Sequence, residues 1–187
     1  MATTPVIDLQ PYYPSMPLLD SGLLFPGSFS VGLPLPVSAE PAVLVTVAGA
    51  TMLHTPCCTP ACAETALKAL RGFRAVARRV VWCNSSELAA APRVDLRAWG
   101  RKLVELGGVQ MAVLSGGGAR EIAIAARDAG LPIGRVVVCP DEVTARNVLG
   151  DSLNPGDTLL ALGISADNCY KLATRLESRF ERELVMN

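Results

Sequence analysis

Three loop segments concentrate the residues whose types could do chemistry. The first runs from His54 through Cys57 and Cys58 to Cys62 and holds the only histidine and three of the six cysteines. One imidazole and three thiols are the donor types of a zinc site. Structural zinc sites use spaced cysteine pairs, however, and two of these cysteines are adjacent. Small buried side chains with one reactive thiol are therefore the competing reading. His54 invites a catalytic role, but no Ser or Cys partner can be assigned to it.

The second segment is Ser115-Gly116-Gly117-Gly118, followed by Ala119 and Arg120. Free amides at a helix start, with the helix dipole behind them, suit a phosphate or carboxylate, and Arg120 would add a charge. Glycine is also the residue a tight strand-to-helix turn requires, and the run is neither a dinucleotide fingerprint nor a P-loop. The third segment, Leu162-Gly163-Ile164-Ser165-Ala166-Asp167, offers Ser165 or Asp167 as a helix cap. It supplies no cation for a transferred phosphoryl group. A basic series, Lys68, Arg71, Arg74, Arg78 and Arg79, has helical spacing and reads as a solvated face.

The elements that must position these loops begin at Ala42. Val43–Val47 and Ala50–Leu53 form two short strands around Ala48-Gly49, a hairpin. Pro60 to Ala77 reads as a helix with Thr59 as N-cap and Ala63, Ala66, Leu67, Leu70 and Phe73 as its apolar stripe. Arg79–Cys83 is a strand, and Arg93–Leu106 a helix with Leu96, Trp99, Leu103 and Leu106 on one face. Strand Val109–Leu114 precedes the glycine turn and a helix to Ala129. Gly134–Val138, an Asp141-capped helix ending near Gly150, strand Asp157–Leu162 and helix Ala166–Phe180 complete the order. Strands this continuously apolar, alternating with helices, predict a Rossmann-like three-layer α/β sandwich with a mostly parallel sheet of five to six strands. In such sheets ligands sit at the carboxyl ends of the strands, which is where all three loops fall.

Composition narrows the function classes. The chain has 187 residues, 17 basic and 17 acidic side chains, and a pI near 6.6, which gives no support for nucleic acid or an anionic membrane as partner. Mean hydropathy is +0.35, yet no apolar run reaches the roughly 18 residues of a membrane span. Residues 1–41 stand apart from the domain expected over 42–187. Eight prolines, from Pro5 to Pro41, forbid regular structure there, while Tyr12, Tyr13, Leu18, Leu19, Phe25 and Phe29 are too apolar for a solvated tail. The segment reads as an arm that lays its apolar side chains into a groove, making a homo-oligomer or a protein partner the expectation. No Lys or Arg precedes Lys68, which argues against a secretory or transit signal. A cytoplasmic location with six reduced thiols follows as the expectation.

From Ala42 to Phe180 the chain resembles the C-terminal domain of the Mur ligases, the ATP-dependent amide-forming ligases of peptidoglycan precursors. The resemblance is nearest to the enzyme that adds D-alanyl-D-alanine. The hairpin, loop, Pro60 and Ala66-Leu67-Lys68-Ala69-Leu70 follow that family's strand–loop–Asn-Ala-Asn-Pro–helix order. Val81-Trp82-Cys83-Asn84-Ser85-Ser86-Glu87-Leu88 stands where the family has a strand ending in Gly-Asp-Met-x-Glu-Leu. Asp141 through Pro155-Gly156-Asp157-Thr158-Leu159-Leu160 matches its closing helix and Pro-Gly-Asp-Val-Val-Leu strand.

The motifs themselves are eroded. Of Asp-x-Tyr-Asn-Ala-Asn-Pro only Pro60 survives, with His54, Cys57 and Cys58 in the loop. The family's Lys-Gly-Ser-Arg becomes Leu162, Gly163, Ile164 and Ser165, and Asn84 replaces an Asp. The Gly-Lys-Thr/Ser loop of the family's ATPase domain is missing. Phosphoryl transfer depends on metal and cationic groups around the phosphate, so the resemblance implies a non-catalytic domain without cofactor, acting in protein assembly or as accessory to a cell-wall ligase. Two alternatives stay open: a ligase component that uses ATP and Mg through a partner ATPase domain, and a small anion- or nucleotide-binding module built on Ser115–Arg120.

Overall fold

The computed structural model describes residues 41–47 and 49–186, with side chains through residue 182. The arm expected over 1–41, Pro41 apart, and turn residue Ala48 lie outside the described residues. Six strands, β1 (Ala42–Val47), β2 (Ala50–Thr55), β3 (Arg79–Asn84), β4 (Met111–Ser115), β5 (Val136–Val138) and β6 (Thr158–Leu162), form one sheet in the order β1-β2-β6-β3-β4-β5. β1 and β2 are the antiparallel hairpin, and every other pairing is parallel. Six helices are α1 (Pro60–Gly72), α2 (Ser86–Ala90), α3 (Leu96–Glu105), α4 (Ala119–Asp128), α5 (Glu142–Ser152) and α6 (Ala166–Met186). The expected three-layer α/β sandwich is the observed one.

The period-2 geometry of the strands divides the core into two layers. Val81, Cys83, Ala112, Leu114, Leu160 and Leu162 face α1, α3 and α4, where Leu67, Leu70, Trp99, Leu103 and Ile122 meet them. Val80, Trp82, Met111, Val113, Leu159 and Ala161 face α5 and α6, against Leu149, Leu172, Leu176 and Phe180. Both faces of the central strands are thus dry, which is why those strands are apolar without alternation. Among the described residues no helix is long and apolar enough to cross a membrane.

The boundaries differ from the sequence expectations for local reasons. Thr59 caps α1 as expected, accepting from the Cys62 amide at 3.4 Å. The helix stops at Gly72 rather than Ala77, because Phe73 turns extended while its amide still reaches Ala69. The five basic residues therefore do not make one solvated helical stripe. Lys68 pairs with Glu64 at 3.1 Å, and Arg71 donates to the Glu105 carbonyl. Arg79 wraps back to cap the carbonyls of Leu70, Arg71 and Phe73. Arg78 is half of a partly buried ion pair with Asp157. The helix expected from Arg93 starts at Leu96 behind an Asp95 cap, and the short α2 precedes it. Only Val136–Val138 of the expected 134–138 strand is extended; Ile133–Arg135 is a 3-10 turn.

Two substitutions test this packing. Gly100 sits where α3 presses on α4, and an added Cβ would lie 2.4 Å from the Ile122 carbonyl and 2.6 Å from the Ala125 Cβ. Alanine is the better helix former by about 1 kcal/mol. Overpacking against backbone outweighs that gain, so Gly100→Ala is expected to destabilise by about 1–3 kcal/mol in a denaturant melt. Asp157→Ala leaves the Arg78 guanidinium with the Ser152 carbonyl and partial solvent contact, and is expected to cost about 1–3 kcal/mol, with Asp157→Asn losing less.

Candidate functional site

The parallel strands end together, so β2, β6, β3, β4 and β5 deliver their loops to one edge in that order. This brings His54 and the Cys57–Cys62 loop beside Gly163–Ser165, then Asn84, then the Ser115–Gly118 turn, then Asp141. Short-range sequence signals fixed each loop; the parallel crossovers bring them together.

The polar groups along this edge bond mainly to one another. His54 Nε2 lies 2.8 Å from the Ile164 carbonyl and donates to it. Asn84 donates from Nδ2 to Glu142 Oε1 at 2.8 Å, and its Oδ1 accepts from the Ser86 amide at 3.1 Å. Asn168 donates to the other Glu142 oxygen at 2.7 Å and accepts from Arg146 at 3.0 Å. Ser165 accepts from the Asn168 amide at 3.3 Å, the capping role expected of it. Asp141 caps α5 in the same way, accepting from the amide and hydroxyl of Thr144, and those bonds hold its carboxyl below the usual range.

The glycine turn is explained largely by packing. Gly116 and Gly118 have φ of +86° and +73°. A Cβ on Gly116 would meet Asn84 Oδ1 at 2.4 Å and Ser86 Oγ at 2.5 Å, and one on Gly118 would meet Leu96 Cδ1 at 2.4 Å. The Gly117 amide already donates to Ser86 Oγ at 3.3 Å, and Ser85 Oγ donates to the carbonyls of Ser115 and Gly117. Ser115 Oγ is buried without a partner, and Arg120 is exposed in the first turn of α4.

The cysteines correct the expectation of six reduced thiols. Cys57 and Cys62 are joined in a disulfide, their Cα atoms 6.5 Å apart, while Cys58, Cys83, Cys139 and Cys169 are free and buried. The His54, Cys57, Cys58, Cys62 ligand set is thereby dismantled. Among the described residues no group of three His, Cys, Asp or Glu is placed to hold a metal ion. Cys58 Sγ lies 3.5 Å from Cys83 Sγ; that contact, then burial, holds the Cys58 thiol far above its ordinary range. Burial pushes Cys169 up to about 12 and raises Cys139, so these three thiols resist ionisation.

Sequence reasoning missed Ser85, Ser86, Glu87, Glu142 and Asn168. A Ser-Ser-Glu run after a strand is a helix-start signal, and Glu142 follows a cap residue; both hints were present. A separate cleft of about 410 Å³ opens at the opposite edge, lined by Arg78, Val104, Val109, Gln110, Leu131 and Arg135 among others.

The fold is shared with solved Mur-ligase structures. A domain assigned to a UDP-N-acetylmuramate:L-alanyl-gamma-D-glutamyl-meso-diaminopimelate ligase of Haemophilus ducreyi aligns with TM-score 0.51 and 15% identity over 72% of this chain and 98% of that one. A murein peptide ligase of Psychrobacter arcticus aligns with TM-score 0.55 and 10% identity, over 72% of this chain and 29% of the ligase. A UDP-N-acetylmuramoyl-L-alanyl-D-glutamate–2,6-diaminopimelate ligase gives 0.51 and 14%, over 75% and 31%. This chain therefore spans less than a third of the latter two ligases. No protein-family model and no curated protein sequence matches it.

Glu142 is the hub that ties β3 to α6. Glu142→Ala leaves the amides of Asn84 and Asn168 without their acceptor, with an expected loss of about 1–3 kcal/mol in chemical denaturation. Glu142→Gln, which keeps one acceptor oxygen, should fall between that variant and wild type.

Proposed function

We propose that this chain carries a domain of Mur-ligase C-terminal type that has lost ligase chemistry and serves protein assembly or acts as an accessory to a cell-wall ligase. The fold likeness supports the descent. One observation carries the loss of chemistry: the side chains at the eroded motif positions are committed to the fold itself. His54 is held by the Ile164 carbonyl, Asn84 by Glu142, Ser165 by the Asn168 amide, and Cys57 by Cys62. Leu162 and Ser165 stand where the resemblance places Lys and Arg, so this edge lacks those two cations for a transferring phosphoryl group. On this reading the domain needs neither ATP nor Mg, and residues 1–41 provide the contact with a second copy or a partner protein.

One observation favours a second reading, a small anion- or nucleotide-binding module. Arg120 is exposed, with no side-chain partner among the described residues, at the start of α4 beside the glycine turn. Calorimetric titration of the full chain with Mg-ATP and with a UDP-muramoyl-peptide separates the two. No heat from either is expected; saturable binding would overturn the non-catalytic reading in favour of a ligand-binding one. Deleting residues 1–40 is expected to lower the solution mass to that of a monomer. An unchanged mass would remove the arm from assembly.

A further inference from the structure

We propose that Cys57 and Cys62 are a reversible dithiol/disulfide couple, opened and closed by low-molecular-weight thiols and their disulfides, whose state sets how firmly the β2–α1 loop is held at the carboxyl edge. The couple operates whichever partner the domain serves.

Access singles out this bond. Cys57 and Cys62 are half-buried, whereas the other four cysteines are buried with 5% exposure or less. A dissolved thiol can reach only this pair.

Its two sulfurs are unequal. Cys62 is the third residue of α1, and its amide is held by the Thr59 cap. Its sulfur therefore sits in the first turn, where the helix dipole favours a negative charge. Cys57 lies outside the helix. An incoming thiolate attacks Cys57 Sγ, a mixed disulfide forms there, and the Cys57–Cys62 bond breaks with Cys62 leaving as the stabilised thiolate. A second thiolate attacks the small-molecule sulfur of that mixed disulfide and releases Cys57. Two small thiols are oxidised to one small disulfide while the protein gains two electrons and two protons. Closure is the reverse and consumes the small disulfide.

The loop is short, and what it holds is local. Its ends are separated by five positions, so closure removes less entropy from the unfolded chain than a bond between distant residues would. Within it, the Cys58 amide donates to Glu87 Oε2 at 2.5 Å and the Cys58 thiol packs on Cys83. Even the Cβ that Gly163 lacks would fall 2.7 Å from the Cys58 Cβ, so the loop is seated directly on the β6–α6 turn. With the bond open, that seat rests on the Thr59 cap and the Cys58 contacts alone.

The test equilibrates the full chain in reduced or oxidised glutathione, then maps thiols by acid quench, alkylation and mass spectrometry, with amide hydrogen exchange on the same samples. Six alkylated cysteines are expected after reduction and four after oxidation, with only Cys57 and Cys62 changing. Exchange at residues 57–63 should rise about tenfold on reduction while β4 and α4 stay unchanged. Cys57→Ser should show the fast exchange in both buffers; the wild-type comparison stands without it. Cys57 and Cys62 remaining alkylatable in oxidised glutathione would overturn the couple. So would a bond that survives excess reduced glutathione in the folded protein, or equal loop exchange in the two states.

Discussion

The Asp157 carboxylate is the contact on which the sheet depends. Oδ1 accepts from the amide and Nε of Arg78, and Oδ2 from Arg78 Nη2 and the Asn154 amide. The Asp157 carbonyl accepts from the Thr51 amide, and the next residue donates to the Arg78 carbonyl. One fully buried side chain thus sits where β2, β6 and β3 begin, and the pairings Thr51–Thr158 and Arg79–Thr158 start beside it. A buried carboxylate is costly unless its lone pairs are filled, so the charge is tolerated only in this one arrangement. Register matters here because a slip of one residue would exchange Val80 and Trp82 with Val81 and Cys83 between the two core layers.

Among the described residues, the two dry faces leave polar side chains to the sheet edges and the outer helix surfaces. At the carboxyl edge those groups have been spent on holding loops together. Glu142 joins β3 to α6, Ser86 holds the glycine turn, and Cys57–Cys62 clips the start of α1. A site preorganised for charge transfer keeps donors aimed at an absent oxyanion. Here the donors from His54, Asn84 and the Gly117 amide are aimed at acceptors within the domain. The fold alone does not assign a function to such an edge.

The element order was legible because each signal is local. Apolar runs such as Val109–Leu114 and Asp157–Leu162 read as buried strands, and Thr59 and Asp141 follow ordinary capping chemistry. The misreadings came from residues that take their roles from distant partners. The basic series looked like one helical face, but Arg78 answers to Asp157, 79 residues away, and Arg79 turns back onto α1. The five-residue α2 has too few positions for a period to show. Ser85, just before it, and Ser86, its first residue, matter because the β4–α4 turn packs over them.

By itself the sequence determined the α/β alternation, the caps at Thr59 and Asp141, and the apolar faces. Those properties depend on residues within a turn or two of each other, where propensity, capping and periodicity act. Strand order, the burial of Asp157, the Glu142 hub and the separation of six cysteines into one bond and four buried thiols were decided only by the tertiary structure. Each of these needs groups remote in the chain to meet, and only the parallel crossovers and the exclusion of water from two core layers make them meet.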